Sequence, residues 1–317
     1  MNISNLNELL NTQILNEGST LSVGGFALNS SEVKPSFAFF SNDEEEIKRA
    51  VEKGAFVIVC DKIIDIKDKE VYLLKSENLE NAILRLLRFL CEEKECKFLF
   101  CSKRELEFCK VFNLKILHAN AFLDFTSLIR AKKGEIFCLD NENYLSKLCA
   151  NYEILKAAKV QKFQNSSPFY STLICNDLYF KNLKLPFIYT EIFAKFVFFL
   201  QENKLKIHFD LNKLNLFKIY FVNKAMQIVE FGTSSKAFIA VENEEELEFW
   251  QENFKGFGGL KSALKNSLFC DFSYSKISDL KQIKDFKYIL VLLENFDEFE
   301  NEFVKNANQE QKLFDFL

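Results

Sequence analysis

The sequence predicts an α/β protein of several domains, and three observations carry that reading. Short apolar runs of strand length alternate with helical stretches of about ten residues through much of the chain, the rhythm of βαβ units that close a parallel sheet. The chain has 317 residues, enough for two or three separate cores. Its 48% hydrophobic and 27% charged content is that of an ordinary globular protein, so each core has apolar material to bury.

Taken in order, residues 5–15 read as a short amphipathic helix with Leu6, Leu9, Leu10 and Ile14 on one face. Strands are expected at 20–26 and 37–41. Asp43 then caps a helix to Lys53, Gly54 stops it, and 55–60 enters as a buried strand. A strand at 71–75 precedes a strong helix over 77–93, with Leu79, Ile83, Leu86, Leu87 and Leu90 turned inward. Strands at 97–101, 115–117 and 136–139 alternate with helices at 103–112, 120–130 and 142–150. Asn176 and Asp177 sit between 169–174 and 178–181 as the turn of a hairpin, followed by a very apolar helix over 188–203. A second hairpin is expected around Asn223 and Lys224, joining 217–222 to 225–231. The tail returns to α/β, with strands at 237–241, 268–272 and 288–292, helices at 244–253 and 260–264, and helices to the end. The rhythm divides the chain into domains at 1–93, 94–205 and 206–317.

Composition removes several functions. The formal net charge is −4, and Lys and Arg are scattered among Asp and Glu; nucleic acid is not an expected partner, since a phosphate backbone calls for a one-sided basic stripe. The longest apolar runs, at 196–200 and 288–293, fall far short of the roughly 20 residues that span a bilayer. Residues 1–10 lack the basic head and long apolar run of a signal peptide, so no membrane insertion and a cytoplasmic location are expected. The nine cysteines include no C-x-x-C pair, although Cys91, Cys96, Cys101 and Cys109 cluster in sequence, and the two histidines, His118 and His208, are far apart. Reduced, buried thiols are the expectation, with no metal or cofactor. Nine glycines leave few places for a backbone cradle around phosphates.

Residues 28–59 carry the most specific pattern: Asn29-Ser30-Ser31, then Val33-Lys34-Pro35, Phe39 in the next strand, and Ala50-Val51-Glu52-Lys53-Gly54-Ala55 closing a helix before a valine-rich strand. This resembles the N-terminal, UDP-sugar-binding domain of the Mur ligases, specifically the tripeptide-forming and the final dipeptide-adding enzymes. Their pattern is D-S-R, V-x-P-G, a Phe-bearing strand and A-x-x-x-G-A. Residues 71–89 are similar to the family's strand and helix leading into its ATPase domain. Asn29 stands for Asp, Ser31 for Arg and Ser36 for the turn Gly, and the family's D-G loop before the helix is missing. The resemblance implies a three-domain Mur-ligase-like architecture with a shortened, Rossmann-like parallel-sheet middle domain. It also implies substrate contacts at Asn29, Ser30 and Ser31, with Ser30 at the position beside the uridine nucleotide. Read from the residues alone, Asn29-Ser30-Ser31 is a polar turn between strands.

The family's ATP site is a strand running into a Gly-rich loop that ends in G-K-T, whose amides wrap the phosphates. Here the strand at 97–101 passes through Ser102 into a helix without a glycine, and Ser102 and Glu105 have the spacing of a capping box. The only other candidate, residues 256–262 with Lys261-Ser262 at its end, has Leu260 where Gly is required and follows a helix. No G-x-S-x-G, H-E-x-x-H or G-x-G-x-x-G occurs. No catalytic or ATP-binding residue is therefore assigned. The expected function is a Mur-ligase-like protein of bacterial peptidoglycan synthesis that does not hydrolyse ATP and binds a UDP-N-acetylmuramoyl peptide or the Mur enzymes. An active ligase with a divergent nucleotide site, or an adaptor without a ligand, are the alternatives.

Overall fold

Two asparagines bound the first helix. The Asn2 side chain accepts from the Asn5 amide at the start of α1 (Ile3–Leu10), and Asn11 ends it in the left-handed conformation, φ 53°. That turn releases Gln13–Asn16 to pair antiparallel with the strand Tyr72–Lys75. The helix expected over 5–15 is therefore shorter, and Ile14 belongs to an edge strand. The computed structural model describes all residues except 67, 164, 166, 255–256 and 305–317. The chain divides into two compact units, Met1–Cys109 with Leu114–Leu155 and Lys110–Asn113 with Lys156–Leu317.

In the first unit, β1 (Gln13–Asn16), β2 (Gly25–Ala27), β3 (Phe37–Phe40), β4 (Ala55–Cys60) and β5 (Tyr72–Lys75) form a sheet in the order β1-β5-β4-β3-β2. Every pair except β1 on β5 is parallel. Ala38 and Phe40 face one core while Phe39 faces another, the alternation of a strand covered on both sides. Between β3 and β4, α2 (Glu44–Glu52) is capped by Asp43, which accepts from the Glu45 and Glu46 amides, and buries Ile47 and Ala50. The strand expected at 20–26 is confined to its last residues; Ser22 makes only an isolated bridge to Asn2.

The helix α3 (Leu79–Glu93) buries Leu79, Ala82, Ile83, Leu84, Leu86, Leu87, Leu90 and Cys91. That is wider than one amphipathic stripe, because α3 packs on α1 and also on two later helices, Ala121–Ile129 and Glu142–Leu148. One continuous core results, running from Leu6 and Leu10 through Leu86 and Leu87 to Phe125 and Leu145.

The second sheet of this unit is wholly parallel. β6 (Lys97–Phe100), α4 (Lys103–Val111), β7 (Lys115–Ile116), α5 (Ala121–Ile129), β8 (Ile136–Leu139), α6 (Glu142–Leu148) and β9 (Glu153–Ile154) follow in turn, with strand order β7-β8-β6-β9. The alternation read from the sequence appears here with its bounds shifted by a residue or two.

The second unit opens with an antiparallel sheet, β10 (Val160–Phe163), β11 (Ser171–Cys175) and β12 (Leu178–Leu183). Asn176 and Asp177 both have positive φ, 42° and 70°, the requirement of a type I′ hairpin turn. α7 (Thr190–Glu202) follows a 3-10 turn at Phe187–Tyr189 and buries Phe193, Phe196 and Phe199. Then come β13 (Lys218–Phe221), β14 (Ala237–Val241), α8 (Glu244–Asn253), β15 (Leu260–Lys265), β16 (Phe272–Tyr274), β17 (Tyr288–Leu292) and α9 (Phe296–Phe303). Their sheet is ordered β13-β14-β17-β15-β16, parallel except for β13.

Three expectations for this unit are corrected. The hairpin around Asn223 is reduced to a single bridge between Val222 and Ile228, because the Asn223 side chain accepts from the Ala225 and Gln227 amides and β13 pairs with β14. Residues 260–264 are a strand, drawn into the sheet beside β17 and not coiled as a helix. Residues 268–271 form no strand; Leu268 and Phe269 are more than nine-tenths exposed. Of the helices expected to the end, α9 falls within the described residues, and the remainder of that expectation lies on residues 305–317, outside them.

Candidate functional site

The polar triplet closes the turn between β2 and β3. Asn29 is extended (φ −114°, ψ 129°) and caps a 3-10 turn at Ser30–Glu32, its side chain accepting from the Ser31 amide at 2.8 Å. Ser30 is buried. Its amide donates to Glu46 Oε2 at 3.2 Å, and its carbonyl accepts from Lys53 Nζ at 3.1 Å, so two residues at opposite ends of α2 hold it. Hydrogen bonds from the Ser30 hydroxyl and then its amide hold the Glu46 carboxyl below its ordinary value. Asn29 and Ser31 are the exposed members of the triplet. The structure thus brings all three residues into one turn, with Ser30 facing α2.

The backbone around the triplet explains the residues that follow. Ser36 adopts φ 68°, the left-handed region, at the position where the resembling pattern carries glycine. Gly54, at φ 91°, has the Pro35 Cα just 3.2 Å from where a Cβ would stand, so the end of α2 closes tightly on the Val33–Pro35 turn.

Beside this turn lies a cleft of about 370 Å³, within the usual size of a ligand site. Gly24, Gly25 and Phe26 form one side, Phe125 and Ile129 of α5 another, and Lys34 and Arg130 stand at the rim. Arg130 Nη2 meets Glu32 Oε1 at 3.0 Å, tying the triplet's turn to the end of α5; both side chains are exposed, so the pair orients more than it stabilises. Lys94 at the end of α3 donates to the carbonyls of Leu128 and Ile129, occupying acceptors that the last turn of α5 leaves open. The cleft offers aromatic walls and the cations Lys34, Lys94 and Arg130 beside one carboxylate, Glu32, which is paired with Arg130. Sequence reading did not single out Arg130, Phe125 or the Gly24-Gly25 pair. The pair was the available signal, being one of two glycine doublets in a chain with nine glycines.

The second place of interest is the junction after β6. Only Cys101 and Ser102 separate Phe100 from Lys103, the first residue of α4. The Ser102 amide donates to Glu105 Oε2 at 2.9 Å, and the Glu105 amide donates to Ser102 Oγ at 3.3 Å, a reciprocal capping box. In the 256–262 segment, residue 256 lies outside the described residues. Lys261 and Ser262 are in β15, where Lys261 Nζ donates to the Asp285 carbonyl and the Ser262 amide to Asp271. The described part therefore leads into a strand, whereas a phosphate loop leads into a helix.

No family model and no curated protein matches the sequence. Solved structures do match in fold. The MurF ligase from Thermotoga maritima, in complex with ADP, superposes with a TM-score of 0.50 over 88% of this chain and 97% of that one, at 10% identity. The UDP-N-acetylmuramoylalanyl-D-glutamyl-2,6-diaminopimelate–D-alanyl-D-alanyl ligase from Acinetobacter baumannii gives 0.48 over 99% and 92%, at 11% identity. Among the described residues, no helix is long and apolar enough to cross a membrane. With its mixed α/β architecture and parallel sheets, the chain has a Mur-ligase-like fold.

Proposed function

We propose that this protein acts in bacterial peptidoglycan synthesis in the cytoplasm, as a Mur-ligase-like pseudo-ligase that binds a UDP-N-acetylmuramoyl peptide, or the Mur enzymes themselves, without hydrolysing ATP. The single observation that supports it best is the β6–α4 junction. Two residues connect strand to helix, and Ser102 and Glu105 satisfy amides at the helix start that an anion would otherwise receive. A triphosphate loop needs several open amides and a length of glycine-rich backbone. In this reading Asn29, Ser30 and Ser31 mark the sugar-nucleotide end, and the cleft rimmed by Lys34 and Arg130 receives the anionic part of the ligand. The domains at 1–93, 94–205 and 206–317 correspond, in the same reading, to the three domains of a ligase.

Calorimetric titration of the purified protein with a UDP-N-acetylmuramoyl peptide, and separately with Mg-ATP, tests this. The sugar-nucleotide arm requires binding of the first, and both arms require none tighter than millimolar of the second. Absence of sugar-nucleotide binding would leave an adaptor to other Mur enzymes, which co-purification with those enzymes would then have to demonstrate.

A further inference from the structure

Three cysteines far apart in sequence converge within the first unit. The sulfurs of Cys101, Cys109 and Cys138 all lie within 4.8 Å of one another, and all three residues are fully buried. Cys101 directly follows β6, Cys109 belongs to α4 and Cys138 to β8. The Sγ atoms of Cys101 and Cys109 are 3.7 Å apart. No C-x-x-C spacing announces this group, because the parallel sheet and not local sequence brings β6 and β8 side by side.

The spacing is close to that of metal ligands. Sulfurs about 2.3 Å from one ion stand about 3.8 Å apart in a tetrahedron and about 4.0 Å apart in a trigonal plane. Closing the observed triangle onto an ion requires shifts of about 1 Å or less. Among the described residues, no histidine or carboxylate joins the group. An all-sulfur donor set excludes the hard cations magnesium and calcium, which take oxygen, and selects thiophilic ions. The thiols also hydrogen-bond to one another.

We propose that Cys101, Cys109 and Cys138 form a three-thiolate site for a thiophilic d10 ion, copper(I) or zinc(II). Binding replaces three S–H bonds by three metal–sulfur bonds, releases up to three protons to water and changes no oxidation state. The ion ties the end of β6 to α4 and β8, beneath the junction that Ser102 and Glu105 cap. It is a structural clip and is independent of the sugar-nucleotide reading.

The test uses the full chain, reduced, metal-free and anaerobic. It is titrated with copper(I) buffered by bicinchoninate and, in a second arm, with zinc(II) buffered by a chromophoric chelator. One ion retained per chain after desalting, with three sulfurs near 2.3 Å by X-ray absorption, is the expected result. The arm that retains metal identifies the ion. Cys138→Ser should weaken retention by about 100-fold or more, while Cys270→Ser, which alters a half-buried cysteine elsewhere, should not. If the Cys138 variant fails to fold, the absorption spectrum of the wild type still decides. Retention of neither ion, fewer than three sulfur neighbours, or equal affinity in a folded Cys138→Ser variant would overturn the site.

Discussion

Ser102 and Glu105 cap one another across the first turn of α4, the hydroxyl accepting from the Glu105 amide at 3.3 Å and the carboxylate accepting from the Ser102 amide at 2.9 Å. Two amides at the helix start are thereby satisfied by its own side chains. Removing either partner exposes an amide and loses a cap, so Ser102→Ala should lower unfolding free energy by about 1 kcal/mol. Chemical denaturation reads this directly. A loss of that size without any gain in ATP affinity would separate the capping role from a residual nucleotide role.

Ser30 is held by Glu46 and Lys53. If it also touches the sugar nucleotide, Ser30→Ala should weaken binding of a UDP-N-acetylmuramoyl peptide by about 1 kcal/mol, the usual worth of one hydrogen bond. Equal affinity in wild type and variant would leave Ser30 as the residue that seats the turn on α2.

Ser36 sits at φ 68° without the freedom of glycine. A non-glycine residue there costs about 1 kcal/mol of backbone strain, offset in part by the greater unfolded-chain entropy of glycine. Ser36→Gly should therefore be neutral or stabilising by up to about 1 kcal/mol. Thermal melts that fell by several degrees would mean that the Ser36 side chain, which lies against Gly24, contributes more than its backbone costs.

Glu300 accepts from Lys218 Nζ at 2.8 Å and from the Tyr220 hydroxyl at 2.7 Å, and these bonds, Lys218 first, hold its carboxyl below the ordinary range. A depressed carboxyl contributes stability that is fully present above its unfolded pKa, about 4.3, and is lost as pH falls through the lower folded value. Melting temperature followed from pH 6 down to pH 3 should decline less steeply in Glu300→Gln than in wild type. Parallel curves would remove Glu300 from the acid sensitivity of the second unit.

Much of the fold was legible because local signals agreed with tertiary need. Asp43, Ile47, Ala50 and Gly54 specify α2 and its end without reference to the rest of the chain. The parallel block from β6 to α6 was legible for the same reason. What failed depended on long-range pairing. Leu260–Lys265 is too short for its period to distinguish helix from strand, and only β17 beside it decides. Val160–Phe163 went unread because, as an edge strand, it is mostly exposed and shows no apolar run. Of the site, the Asn29–Ser31 turn was readable as a pattern. Arg130 and Phe125 were not, since α5 reaches the cleft only through its packing on α3. The cysteine triad was hidden likewise: Cys138 joins Cys101 and Cys109 through sheet order alone.

The central claim is that this Mur-ligase-like fold works without ATP, and isothermal calorimetry with Mg-ATP tests it most directly. At 1 mM ATP, a dissociation constant of about 1 mM stabilises by only about 0.4 kcal/mol, a melting shift of about 1 °C in a chain of this size. The account predicts no measurable heat of specific binding and no larger shift. Low-micromolar affinity with one site per chain would contradict it and restore the reading of an active ligase with a divergent nucleotide site.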